Sequence, residues 1–258
     1  MNEIARGLYY GAMIVYLAGF LRLCIPRGSR RQSSATGIFV CALIAHSVSI
    51  LLYAIVRKSI PMDMMTQDVL LRSWGLGLVL IFVSQKYKER YLSQAVILAS
   101  LLLFAASFPM PLPSEMKMCP HFSKGIIPLS VLLYDISVVI FAYCFSLSIL
   151  FFYRKRYLSE EKDNGILWDS IPSKIGSSAL WGVFIFTVSH VIASFGQIAQ
   201  FGTYWGWNPM HLMFVSVWFL YAGMIHLQWI NGFPEKASPI MGIIGFICIS
   251  SFRVIWIL

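Results

Sequence analysis

Along the chain, long apolar runs alternate with short clusters of charge. Eight runs stand out, at about 5–25, 36–56, 69–84, 92–108, 126–153, 175–200, 209–230 and 237–258. Runs of this length and composition predict helices that cross a bilayer. The third and fourth are short and the fifth is long, which predicts tilt or partial submersion. The pattern predicts an all-α polytopic membrane helix bundle of about eight transmembrane helices, forming one domain over residues 1–258. No internal repeat stands out, and no segment is long enough for a separate soluble domain.

The charges between the runs suggest an orientation. Arg27, Arg30, Arg31, Lys86, Lys88, Arg90, Arg154, Lys155, Arg156, Lys162, Lys174 and Lys236 lie on one side. Only Arg6, Arg57, Lys58, Lys117 and Lys124 lie on the other, while Arg22, Arg72 and Arg253 fall within runs. The positive-inside rule makes the richer side cytoplasmic, with both termini outside, as in a multi-pass protein of the cytoplasmic (inner) membrane. The outer loop Pro109–Gly125 carries Pro109, Pro111, Pro113 and Pro120, which predicts no helix there. The loop Arg154–Lys174 is charged and is expected to be solvated.

A composition of 58% hydrophobic and 12% charged residues excludes a soluble domain. The net charge of +9 does not imply nucleic acid, because no basic stripe interleaves with stacking aromatics. Cys24, Cys41, Cys119, Cys144 and Cys248 are scattered without zinc spacing, and four of them sit in apolar runs as small hydrophobes. The N-terminus, with Glu3 near its front and no small-residue cleavage site, reads as a retained helix.

One stretch is unlike the rest: Gly202-Thr-Tyr-Trp-Gly-Trp-Asn-Pro209, running directly into an uncharged apolar helix. Pro209 stands where the first turn of a helix tolerates proline. An uncharged loop holding Trp205 and Trp207 makes a floor for a large, flat, apolar ligand at a membrane edge. The same residues also suit an ordinary aromatic belt at the headgroups.

Gly202, Tyr204, Trp205, Trp207, Asn208 and Pro209, followed by Trp218 and Ile225-His226, resemble the tryptophan-rich signature of the cytochrome c assembly family, the CcsA (ResC) type of haem-handling membrane protein. Two further stretches agree in order. Pro61 through Ser73-Trp74 resembles the family's outer loop leading into a Ser-Trp helix start. Asp135-x-Ser137 with Tyr143 resembles a segment that in the family begins with histidine. The likeness runs from His46 nearly to the C-terminus. Asn208 replaces the signature aspartate, Met210-His211 stands where charged residues are usual, and Asp135 takes the place of an outer haem-ligating histidine. The sequence stops at Leu258, before the family's other outer histidine, so the resemblance implies that the outer ligand pair is missing here.

The resemblance implies haem b as cargo, held by Trp205, Trp207, Asn208, Trp218 and Tyr204. His226 and His46 are the candidate metal ligands. An imidazole in hydrocarbon is costly unless it is bonded or ligates a metal, and neutral imidazole suits haem iron. His226 lies about 25 Å along a helix entered at Pro209, and His46 lies near the middle of the second run. His211, roughly 22 Å from His226, is expected at the outer surface near Asn208. His190 is expected to be packed and hydrogen-bonded. Arg72 and Arg57-Lys58 match haem propionates in charge, but also suit snorkelling to the headgroups, and Asp135 is a natural partner for one of them.

Met116, Met118, Cys119 and His121, with Met62, Met64 and Met65, form a soft-ligand set that would suit Cu(I). No Ser/His/Asp set, no paired carboxylates within a run and no phosphate-cradling glycine loop is present, which predicts a non-enzymatic protein. The reading is therefore a carrier or presenter of haem in c-type cytochrome maturation. Its expected partners are haem, apocytochrome c, a CcsB/ResB-type membrane subunit and the lipid bilayer. The alternatives are a HemX-like regulatory or scaffold protein that influences haem synthesis without carrying haem, and a metal or solute transporter.

Overall fold

Each apolar run winds into an α-helix in the computed structural model, which describes residues 2–24, 29–57, 67–86, 90–107, 126–157, 170–206, 209–230 and 236–255. The helices are α1 (Asn2–Cys24), α2 (Ser29–Arg57), α3 (Gln67–Lys86), α4 (Arg90–Ser107), α5 (Ile126–Tyr157), α6 (Ile171–Phe201), α7 (Pro209–Gln228) and α8 (Ala237–Ile255). The described residues contain no strand.

Several helices overshoot their apolar runs. Helix α2 begins at Ser29, and α5 carries Arg154, Lys155 and Arg156 within its last turn. Helix α6 begins at Ile171 with Pro172 in its first turn, so Lys174 is helical. The charged loop expected over Arg154–Lys174 is therefore shorter, with helix at both its ends. Hydropathy marks where hydrocarbon ends, whereas a helix continues until a breaker stops it. The proline-rich stretch Pro109–Gly125 lies outside the described residues, apart from the helices that flank it.

Four helices contain an apolar stretch long enough to cross a membrane: Thr36–Ile55, Leu129–Tyr153, Ile171–Ile198 and His211–Gln228. Shorter apolar segments occupy Tyr10–Arg22, Leu71–Gln85, Tyr91–Leu103 and Ala237–Ser251. Large apolar side chains stand exposed at helical spacing, such as Ile44, Val48, Leu51 and Ile55 on α2 and Trp181, Phe184, Val191 and Phe195 on α6. Water penalises such faces, and hydrocarbon accepts them provided the backbone is bonded internally, as a helix is. The protein is an all-α, polytopic integral membrane helix bundle.

The helices fall into two compact units, Met1–Phe104 and Ala105–Leu258. In the first, α1 packs along α2, and α2 against α3. Tyr16 of α1, Phe39 and Ala42 of α2, Leu80 of α3 and Val96 and Ile97 of α4 close its core. Gly19 lets α1 approach closely, because a methyl group there would meet the Phe39 ring.

In the second unit α5 is central. Its span is 61% buried, against 28% for those of α6 and α7, and it packs on α6 and α8. The core is aromatic. Phe141 stacks on Tyr221 of α7 with ring centroids 4.0 Å apart, and meets Phe186 of α6 edge-on. Helix α5 also buries serines without cost. Ser146 and Ser148 donate to the carbonyls of Ala142 and Cys144 one turn back, so neither of these hydroxyls is stranded in the apolar interior.

Candidate functional site

The Trp loop is built from its ends inward. Helix α6 stops because Gly202 adopts a left-handed φ of 69°, and its N–H donates to the Ile198 carbonyl at 3.0 Å. Three residues after Gly202, Trp205 is anchored by Thr203, whose hydroxyl donates to the Trp205 carbonyl at 2.9 Å. Pro209 then opens α7. Tyr204 is exposed, with its ring edge-on to Phe195 of α6, while Trp205 is half-buried. Trp207 and Asn208 lie outside the described residues.

Beneath Trp205 sits His211. Its ring centroid is 4.7 Å from the indole, and its Nε2 is 2.9 Å from the side-chain nitrogen of Gln197 on α6. With the amide donating, Nε2 accepts and the ring proton sits on Nδ1. His211 is only 7% exposed, which corrects its expected place at the outer surface. The first turn of α7 turns this side chain toward α6, not toward the loop's open side. His190 lies on α6, as a packed and hydrogen-bonded residue: its Nδ1 is 3.2 Å from the Phe186 carbonyl, and its ring meets Phe214 at 3.9 Å.

Other sequence-selected residues of this unit take different positions. Trp218 is 37% exposed and donates its indole N–H to Thr187 of α6 at 3.0 Å. His226 stands in the last turn of α7 with its side chain exposed, and its carbonyl accepts from the Trp229 N–H. Asp135 is buried within α5, one residue after Tyr134, whose carbonyl accepts from Ser137 at 2.6 Å.

In the first unit His46 is completely buried on α2, and its ring lies edge-on to Tyr16 at 6.5 Å. Next to Tyr16 is a cavity of about 10 Å³ of water-accessible space, lined by Met13, Ser73, Gly77 and Ser100 among others. That is room for about one water molecule. The Tyr16 hydroxyl is buried without a hydrogen-bond partner among the described residues, and Gly77 leaves it space, since a methyl group there would meet it. Trp74 donates to the Ser47 hydroxyl at 2.9 Å and ties α3 to α2. Arg72 is 6% exposed, so its guanidinium is not snorkelling on an outer face. The side chain of Arg57 and all of Lys58 lie outside the described residues, as do Met62, Met64, Met65, Met116, Met118, Cys119 and His121. Among the described residues no group of three metal-ligating side chains occurs.

The structure thus brings Trp205 together with His211 and Gln197, and His46 together with Tyr16. Gln197 and Tyr16 were not singled out by the sequence. The signal for Gln197 was available: an uncompensated amide near the end of an apolar run is costly without a partner.

Comparison with known proteins gives a consistent picture. A family model described as Cytochrome C assembly protein matches residues 40–256, across both units. A Cytochrome c biogenesis protein CcsA from Porphyra purpurea is 22% identical, with 99% of this chain aligned to 91% of that protein. Another, from Prochlorococcus marinus (strain MIT 9312), is 20% identical, with 96% of this chain aligned to 92% of that protein. Among solved structures, Cytochrome c Heme Lyase CcmF superposes with a TM-score of 0.70 at 13% identity. The match covers 98% of this chain and 46% of the lyase, so the chain spans less than half of the lyase's length. This neighbour corrects the expectation of a non-enzymatic protein. A haem lyase shares the fold, so the lack of a familiar catalytic set in the sequence is no ground for setting enzymatic activity aside.

Proposed function

The chain belongs to the cytochrome c assembly protein family, and from that premise we propose that it binds haem and presents it for c-type cytochrome maturation. The observation that carries this reading is the Trp205 loop: uncharged, aromatic, pinned by Gly202 and Thr203, and seated on His211. Such a surface fits a flat macrocycle by its face, with Tyr204 exposed beside it. Trp207, Asn208 and Trp218 are assigned to the same aromatic surface from the family signature.

His46 and His226 are the imidazoles we assign to iron, each on its own evidence. His46 is a fully buried imidazole, and His226 offers an accessible ring at the end of α7. Arg72 is assigned to propionate charge. Asp135, a carboxylate where the family signature has histidine, supplies no imidazole, so the outer haem is held by its face. We assign the Trp loop and both termini to the outer side of an inner membrane, a reading that the uneven loop charges support. An apocytochrome and a CcsB-type subunit are the partners this arrangement calls for.

The test is the optical spectrum of the purified full chain, with and without reductant, after titration with haem. A Soret band with low-spin features is expected. It should fall on His46→Ala or His226→Ala and on Trp205→Ala, and stay on His121→Ala. A parent protein that takes up no haem refutes the reading.

A further inference from the structure

The Trp205 indole is set by Thr203, by His211 and, through His211, by Gln197. Its backbone is fixed by Thr203, which donates to the Trp205 carbonyl at 2.9 Å and lies 3.4 Å from its N–H. Its ring packs on the His211 imidazole at a centroid distance of 4.7 Å and an angle of 55° between planes. That imidazole is in turn held at Nε2 by Gln197, near the end of α6, at 2.9 Å. His211 itself is buried. A half-buried amide and a buried imidazole each lose hydration, and the bond between them offsets part of that loss.

We propose that Gln197 and His211 form a latch that sets the tilt of Trp205, making both positioning residues for the aromatic loop. The consequence for haem rests on the haem-presenting reading given above. Helix α6 delivers Gln197, the first turn of α7 delivers His211, and the loop between them rides on the pair. The latch therefore couples the spacing of α6 and α7 to the attitude of the platform. His211 acts through Trp205 and not as an iron ligand, because its Nε2 is engaged by Gln197 and its ring is covered by the indole.

The test uses the full-length purified protein labelled with 5-fluorotryptophan, with the Trp205 fluorine resonance assigned through Trp205→Phe. Gln197→Leu removes the hydrogen bond and leaves the imidazole. The Trp205 resonance should shift or split while the other tryptophan resonances hold, and haem affinity measured at the Soret band should fall about tenfold. Gln197→Glu accepts from Nε2 once the ring proton moves from Nδ1 to Nε2, and should restore both readouts. His211→Phe should reproduce Gln197→Leu, and the double variant should be no worse than either single one. An unmoved Trp205 resonance in Gln197→Leu overturns the latch, as do additive effects in the double variant. Loss of a low-spin haem spectrum in His211→Phe but not in Gln197→Leu also overturns it, by making His211 a ligand. If the resonance moves but Trp205→Ala binds haem as the parent does, the latch stands and the haem reading of the loop fails.

Discussion

The two units carry different cores. In Met1–Phe104 the polar groups lie inside: His46 and Tyr16 sit in the core beside a cavity that Ser73 and Ser100 help to line. In Ala105–Leu258 the middle is aromatic, built on the Phe141–Tyr221 stack, and the buried serines Ser146 and Ser148 bond back to their own helix. There the pinned imidazole of His211 stands at the start of α7 and His226 at its end. The difference teaches which residues hold each unit together. An aromatic stack carries stability through area and close packing, whereas a buried imidazole must be justified by something other than stability.

The sharpest way to break this comparison is Phe141→Ala. Removing a fully buried ring from the second unit should cost about 3–5 kcal/mol, read as a lowered unfolding midpoint in detergent. His46→Leu should cost the other unit no more than about 1 kcal/mol while abolishing haem-dependent absorbance. If His46→Leu destabilises as strongly as Phe141→Ala, the histidine is structural and the contrast fails.

A second variant probes the polar core itself. Gly77→Ala places a methyl group on the Tyr16 hydroxyl, and overpacking of this kind costs about 1–3 kcal/mol. Adding Tyr16→Phe removes the atom in conflict and should recover a measurable part of the loss. Thermal melts of the two singles and the double decide it, and strict additivity would count against the contact.

The smallest expected effect lies at the lipid-facing edge of the second unit. Trp218→Phe keeps a ring and deletes the hydrogen bond to Thr187, which should cost about 0.5–1.5 kcal/mol, read as a lowered unfolding midpoint. A loss of haem uptake would give the indole N–H a role in binding beyond fastening α7 to α6.

The helices were legible because each apolar run is long and interrupted by charge, proline or glycine. The Trp loop was legible too, since Gly202 and Pro209 bracket it in the chain. The extent of α5 was not, because Arg154–Arg156 carry charge without carrying a helix breaker. The surroundings of His211 were hidden for a different reason. Gln197 lies on another helix, and whether the two side chains meet depends on how α6 and α7 rotate toward each other. Tyr16 and His46 are likewise thirty residues apart, and only the packing of α1 on α2 brings their rings together. His190 was easier, since its bond to Phe186 spans one turn of its own helix.

The cap at Gly202 carries a constraint of handedness alone. A side-chain carbon placed there meets nothing within 4 Å, yet the φ of 69° is one that L-residues adopt at a cost of roughly 1–2 kcal/mol. Space is free and only the mirror sense is forbidden. A chain assembled by ligation with D-alanine at this position should therefore keep the corner intact and stiffen it. The methyl group restricts the unfolded backbone without touching the folded one, a gain of about 0.4–1 kcal/mol that no ribosomally encoded side chain can deliver at this site.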